Sequence, residues 1–209
     1  MTSGAEILRH RPPFLFVDKF AVVEDGVIAD IPPALWEACG DIGLNNSAII
    51  MAEMSAQLFG CLCRLDADGP KRPGYLLALQ NINLAQNHLP TSLKVARVST
   101  DKFIHRYSAQ AMAGSEVIDQ FTGDLAMPEK TATETSEKAT SVSSDCGGPG
   151  PFWTAEMLSK SEALCEFAVR FNPGHLIFQG HFPEEPIVPG IVLCDIICDL
   201  IKAGGFTGC

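Results

Sequence analysis

FQGHFPEEPIVPGIVLCDIICDL, Phe178 to Leu200, sets a histidine beside a proline-rich corner and then runs into an apolar stretch that carries acids. Pro189 and Gly190 mark the start of a helix predicted over 190–202. Proline suits that position because its missing N–H would find no partner in a first turn anyway. His181 and Asp195 therefore fall where burial is expected. Ionisable groups in such places are costly unless each has a partner or a chemical task.

Upstream of this stretch, EALCEFAVRF (162–171) alternates as a strand, NPGH reads as a turn and LIFQGHF as extended chain. Before them lies PEKTATETSEKATSVSSDCGGPGP (128–151), rich in Thr, Ser, Glu, Lys and Gly and poor in large apolar residues. Such a segment buries too little surface to offset its ordering entropy and is predicted to be a flexible linker. It divides the chain into a first unit at 1–127 and a second, partial unit at 152–209.

The first unit reads as strand, helix and then several strands. FLFVDKFAVV (14–23) and GVIADI (26–31), joined by the EDG turn signal, predict a hairpin. NNSAIIMAEMSAQLFGCLCRL (45–65) offers Asn45, Asn46 or Ser47 as an N-cap. Its apolar residues leave hardly any polar face, which predicts a helix buried on most sides. GYLLALQNINLAQ (74–86), SLKVARVST (92–100), KFIHRYSAQAMA (102–113) and SEVIDQFTGDLAM (115–127) alternate in part and predict an antiparallel meander. The expected class is α+β, with a curved antiparallel sheet wrapped round one long apolar helix.

With 46% hydrophobic residues, the 209-residue chain can bury one sizeable core or two small ones. Its net charge of −10 argues against nucleic acid and anionic membrane surfaces as partners. Basic residues at Arg9, Arg11 and Lys19, at Lys71 and Arg72, and at Lys102 and Arg106 still leave room for an acidic protein partner. No apolar export segment follows Met1, and no run is read as long enough to span a membrane. The eight cysteines are thus expected as reduced thiols in a cytoplasmic protein. Cys61 with Cys63 and Cys194 with Cys198 are expected as small buried hydrophobes, and without a CxxC pair no metal is expected.

The residues of the opening quotation resemble the signature of the hot-dog-fold 3-hydroxyacyl-[acyl-carrier-protein] dehydratases, roughly GHFPxxPxxPG followed by a helix with an acid. In that family the acid lies fourteen residues after the histidine, and here Asp195 lies fourteen after His181. ILRHRPPFLFVDKF (7–20) is similar to the family's opening LPHRxPFLLVDR. MAEMSAQ (51–57) is similar to its EAMAQ stretch, placing Glu53 at the acid position. Where the first unit would carry the histidine, it has Cys39.

The resemblance implies a double hot dog in which His181 of the second unit faces Glu53 of the first, with Asp195 facing Cys39 across a degenerate site. It implies dehydration of 3-hydroxyacyl thioesters on acyl carrier protein, in fatty-acid or polyketide-type synthesis, with no cofactor. His181 is the implied base, Glu53 the acid and Asp195 the fallback acid. Gly180, Phe182, Pro189 and Gly190 are implied at the substrate. A histidine and a carboxyl held in different protonation states can together remove and deliver the two protons that dehydration requires. The helix start at Gly190 offers N–H donors for charge on the thioester oxygen.

Several alternatives stay open. Glu53 has Gln57 one turn on as a hydrogen-bond partner, and Asp195 could pair with Arg or Lys instead. His10, His88, His105 and His175 are read as structural or exposed. Because only AGGFTGC follows Lys202, the second unit's helix is expected to present an apolar face and a strand edge. Either the chain is a piece of a longer one, or another copy or hot-dog unit covers that face. A non-catalytic acyl-binding module and a thioesterase on the same fold are the competing functions.

Overall fold

The computed structural model describes residues 1–65, 74–82, 89–127, 150–161, 164–181 and 187–206. In chain order its elements are β1 (Thr2–Ser3), α1 (Gly4–Ile7), β2 (Lys19–Val23), β3 (Gly26–Asp30), α2 (Pro33–Asp41), α3 (Ser47–Leu65) and β4 (Tyr75–Gln80). There follow β5 (Ser92–Asp101), β6 (Ile104–Ala113), β7 (Glu116–Ala126), β8 (Trp153–Lys160), β9 (Cys165–Phe171), α4 (Leu176–Gly180) and α5 (Gly190–Ala203).

α3 is the centre of the molecule. Asn46 starts it, its Oδ1 accepting from the backbone N–H of Ala48 at 3.0 Å and of Ile49 at 3.4 Å. Every residue from Ile50 to Cys61 is buried. A seven-stranded antiparallel sheet in the order β1-β2-β3-β5-β6-β7-β4 supplies the wall around it. Phe20, Val27, Leu93, Val95, Tyr107 and Phe121 are the strand residues that fill this core. Within it, the Tyr107 hydroxyl donates to Ser55 Oγ at 2.9 Å, because Ser55 spends its own proton on the Ala52 carbonyl at 2.8 Å. α3 is also long and apolar enough, by length and composition alone, to cross a membrane. That corrects the expectation that no run reaches this length; the sheet buries the apolar surface instead.

The α+β class and the sheet wrapped round a long apolar helix are as the sequence predicts. The β2–β3 hairpin and the β5–β6–β7 meander also form, but β4 pairs with β7 rather than with its successor β5, whose other neighbour is β3. β4 stops at Gln80, before Asn81 with its φ of 64°, a left-handed turn that asparagine tolerates. The strand expected from residue 14 begins only at Lys19. Over residues 14–17 the Gln57 side chain stands in for a neighbouring strand, accepting from the Phe16 and Val17 N–H groups and donating to the Phe14 carbonyl, while the Phe14 N–H turns back to the Arg11 carbonyl. α2, opened by Pro33, was not foreseen.

β8 and β9 make a separate two-stranded sheet. LIFQGHF is not extended over its length, since residues 176–180 form α4. His175 Nδ1 accepts from the Ile177 N–H at 3.3 Å and buried Ile177 anchors the turn. α5 packs against α3 with Ile191, Val192 and Ile196 buried, while Leu193 and Ile197 are exposed. Cys61 and Cys63 are buried as expected, but Cys194 is exposed and Cys198 half-buried, because the described residues cover α5 on one side only. The linker segment 128–149 lies outside the described residues.

Candidate active site

One strap of backbone brings the two ends of the chain together. The amide N–H of Arg11 donates to the Gly180 carbonyl at 2.8 Å, one residue before His181. A Cβ on Gly180 would stand 2.5 Å from both the Arg11 oxygen and the Phe14 nitrogen, so only glycine permits the approach. The Arg11 guanidinium curls the strap by donating to the His10 carbonyl at 2.7 Å and the Leu8 carbonyl at 3.0 Å. The Phe14 ring meets His181 edge-on, with centroids 5.1 Å apart.

On α3, Glu53 and Gln57 lie one turn apart on the face that meets this strap. Gln57 Nε2 donates to Glu53 Oε1 at 3.0 Å and to the Phe14 carbonyl at 2.9 Å, while its Oε1 accepts from Phe16 N–H at 2.9 Å. Gln57 thus orients the acid and fastens the strap with one amide group. His10 Nε2 stands 3.6 Å from Glu53 Oε1, and the His10 and His181 ring centroids are 5.3 Å apart. His10, Glu53 and His181 are 9%, 7% and 7% exposed, so the cluster is largely withdrawn from solvent. All three line one cavity of about 60 Å³, together with Gln57, Arg9 and Arg64.

The environment sets these groups apart. Burial pushes the Glu53 carboxyl up to about 7 despite the hydrogen bond from Gln57. Burial pushes His181 down to about 4, against the opposing hydrogen bond to the Ile187 carbonyl. Burial, followed by the neighbouring His181, Arg11 and Arg9, takes His10 down to about 3. At neutral pH both imidazoles are uncharged and Glu53 is divided between acid and carboxylate. His181 Nδ1 sits 2.8 Å from the Ile187 carbonyl oxygen, which can only accept. Nδ1 therefore carries the ring proton, and Nε2 is the basic nitrogen.

These shifts fix a pH dependence of stability. Depressed histidines favour the fold above their ordinary 6.5, and that contribution is lost as pH falls toward about 4 for His181 and about 3 for His10. The raised Glu53 acts oppositely, costing stability as pH climbs from 4.5 to about 7. The histidines outweigh the one acid over this range, and His105 and His175, lowered chiefly by burial, act in the same direction. Urea midpoints are expected to rise from about pH 4 toward neutrality. In Glu53→Gln, with the opposing carboxyl gone, that rise should be steeper between pH 4.5 and about 7.

The remaining sequence-derived residues fall elsewhere. Asp195, half-buried on α5, borders a second cavity of about 330 Å³ with the 40–44 loop, Phe152, Trp153 and His175. Its carboxyl is raised first by burial and then by Asp199. Cys39 is buried, its thiol pushed up to about 12 by burial, so it is not a thiolate nucleophile. It does not line the cavity that Asp195 borders, although its neighbour Gly40 does. Gly180, Pro189 and Gly190 are not among the residues lining the cavity at Glu53, and Phe182 lies outside the described residues. His10 is the residue that sequence reasoning missed. Its signal was present in RHRPPF, a stretch compared with the family's opening without a role being given to its histidine. Among the described residues, no group of three or more His, Cys, Asp or Glu is placed to hold a metal ion.

Comparison with known proteins adds to this geometry. The family model of ApeI-like dehydratases, described as ApeI dehydratase, matches residues 157–204. This stretch runs from within β8 to just past α5 and includes His181. No curated protein matches the chain. The structure is similar to that titled "The Dehydratase Heterocomplex ApeI:P from Xenorhabdus doucetiae", with 14% identity and a TM-score of 0.51, over 62% of this chain and 93% of that one. It is also similar, with 14% identity and a TM-score of 0.35, to a conserved protein of unknown function with a hot dog fold from Alicyclobacillus acidocaldarius, over 78% of this chain and 64% of that one. An antiparallel sheet wrapped round one long buried helix is the hot-dog arrangement. The family match over residues 157–204 supports a dehydratase-type function.

Proposed function

We propose that this chain dehydrates 3-hydroxyacyl thioesters on acyl carrier protein to trans-2-enoyl thioesters, with His181 as base and Glu53 as acid. The observation that carries the reading is their placement on one buried cavity in opposite protonation states. His181 Nε2 takes the proton from C2 while protonated Glu53 delivers one to the C3 hydroxyl. The C2=C3 bond forms, the C3–O bond breaks and water leaves. The imidazolium and carboxylate that remain return to their starting forms by transfer of one proton from His181 to Glu53. Backbone N–H groups at the start of α5, around Gly190, would receive charge developing on the thioester oxygen.

We place the reaction in the cytoplasm, in fatty-acid or polyketide-type synthesis. Since the similar Xenorhabdus structure is titled a heterocomplex, we infer that this chain also associates with further hot-dog units, or with copies of itself. A specific observation favours a second reading: about 60 Å³ at the cluster is far below the ~300 Å³ of an ordinary ligand pocket. A non-catalytic module that docks the carrier protein without enclosing its acyl chain accounts for so small a space.

The test is conversion of a 3-hydroxyacyl-carrier-protein thioester by the purified chain, followed by mass spectrometry. Turnover that survives Asp195→Asn supports the His181–Glu53 pairing. Turnover abolished by Asp195→Asn transfers the acid role to α5. A folded chain that binds the carrier without converting it is the binding module.

A further inference from the structure

We infer that His10 is a positioning residue that donates a hydrogen bond from Nε2 to Glu53 Oε1 and so aims and tunes the acid of the cluster. The inference rests on the dehydratase reading of this same site. Its ground is geometric. The His10 ring neighbours both the acid and the base, with Nε2 3.6 Å from Glu53 Oε1 and the His181 ring centroid 5.3 Å away. The Phe14 ring, stacked 6.3 Å from it, and the Arg11 guanidinium on its carbonyl hold the residue in place.

The chemistry gives the contact a purpose. When Glu53 delivers its proton it becomes a carboxylate in a buried site, and charge appears on Oε1 and Oε2. Gln57 already supplies one donor to Oε1 at 3.0 Å. His10, uncharged in this environment, retains one ring proton, and on Nε2 that proton supplies a second donor to the same oxygen. Contacts of this kind are long in a resting site and shorten as charge develops. The other charged or titratable groups around the carboxyl are Arg9 and His10 on the strap, Arg64 further along α3, Tyr107 on β6 and His181. Among these, His10 presents its ring Nε2 to Oε1 at 3.6 Å.

Removal of that donor should make Glu53 a weaker acid. Loss of one hydrogen bond to a charged group corresponds to about tenfold to a hundredfold. In His10→Leu, kcat is expected to fall by that factor with KM little changed. The alkaline limb of the rate profile, which reports the protonated form of Glu53, should move to higher pH. His10→Gln, which keeps an N–H donor at the end of its side chain, should restore much of kcat and return the limb toward that of the unaltered protein.

An independent readout is the titration of the Glu53 carboxyl, followed by ¹³C NMR in protein labelled at glutamate, with Glu53→Gln to assign the signal. The midpoint is expected to rise in His10→Leu and to stay near the original in His10→Gln. An unmoved midpoint in folded His10→Leu overturns the inference, whatever happens to activity. A raised midpoint in a chain that never converts the thioester leaves the inference standing and sinks the dehydratase reading instead. Turnover with an unmoved midpoint does the reverse.

Discussion

His181→Ala is expected to lower turnover of a 3-hydroxyacyl-carrier-protein thioester by about 10²–10⁴-fold, the range that one positioned general base contributes. The substitution removes Nε2, the nitrogen left basic when Nδ1 binds the Ile187 carbonyl. It also removes the ring that packs against Phe14 and His10. His181→Asn separates these effects, because its amide can hold the Ile187 carbonyl but cannot accept the C2 proton. If both variants are comparably slow and fold like the parent, the loss is one of chemistry. A turnover within threefold of the parent in either would remove His181 from the reaction.

Gln57→Leu is the largest expected loss of stability, about 3–5 kcal/mol, since it strands several buried groups at about 1–3 kcal/mol each. The Gln57 amide accepts from the N–H groups of Phe16 at 2.9 Å and Val17 at 3.4 Å, and it donates to the Phe14 carbonyl at 2.9 Å and Glu53 at 3.0 Å. Leucine occupies a similar volume but satisfies none of them. The check is a chemical-denaturation midpoint beside that of the parent. A midpoint within error of the parent would show that these backbone groups find other partners. The same variant leaves Glu53 without its nearest donor, so activity should fall further than stability alone accounts for.

Much of this was legible in the sequence wherever a pattern is local. The nearly all-apolar run at 47–65 could only be a buried helix, and the alternation in β5, β6 and β7 sufficed for strands joined in series. The partner of β4 was not legible, because alternation says which face is buried and nothing about which strand lies alongside. Residues 14–17 have the composition of a strand, yet a side chain from α3 takes the place of the neighbouring strand. His181 came from the GHFP stretch and Glu53 from the likeness of MAEMSAQ to the EAMAQ stretch, each a local pattern. His10 did not, because its burial is made by contacts with residues far along the chain. Its one local signal, the RHRPPF stretch, marks a resemblance without giving the histidine a role.

The strap that joins Arg11 to Gly180 has a consequence in time as well as in space. α3 and the β5–β7 meander close through neighbouring segments, whereas this contact closes most of the chain into one loop. Contacts of such long sequence separation bear the greatest loop-closure cost and form slowly. The cluster is therefore assembled late, on a sheet and helix that already exist. On the ribosome, Glu53 sits in a chain whose histidine has yet to be synthesised, so the first unit acquires its shape before the cluster is complete.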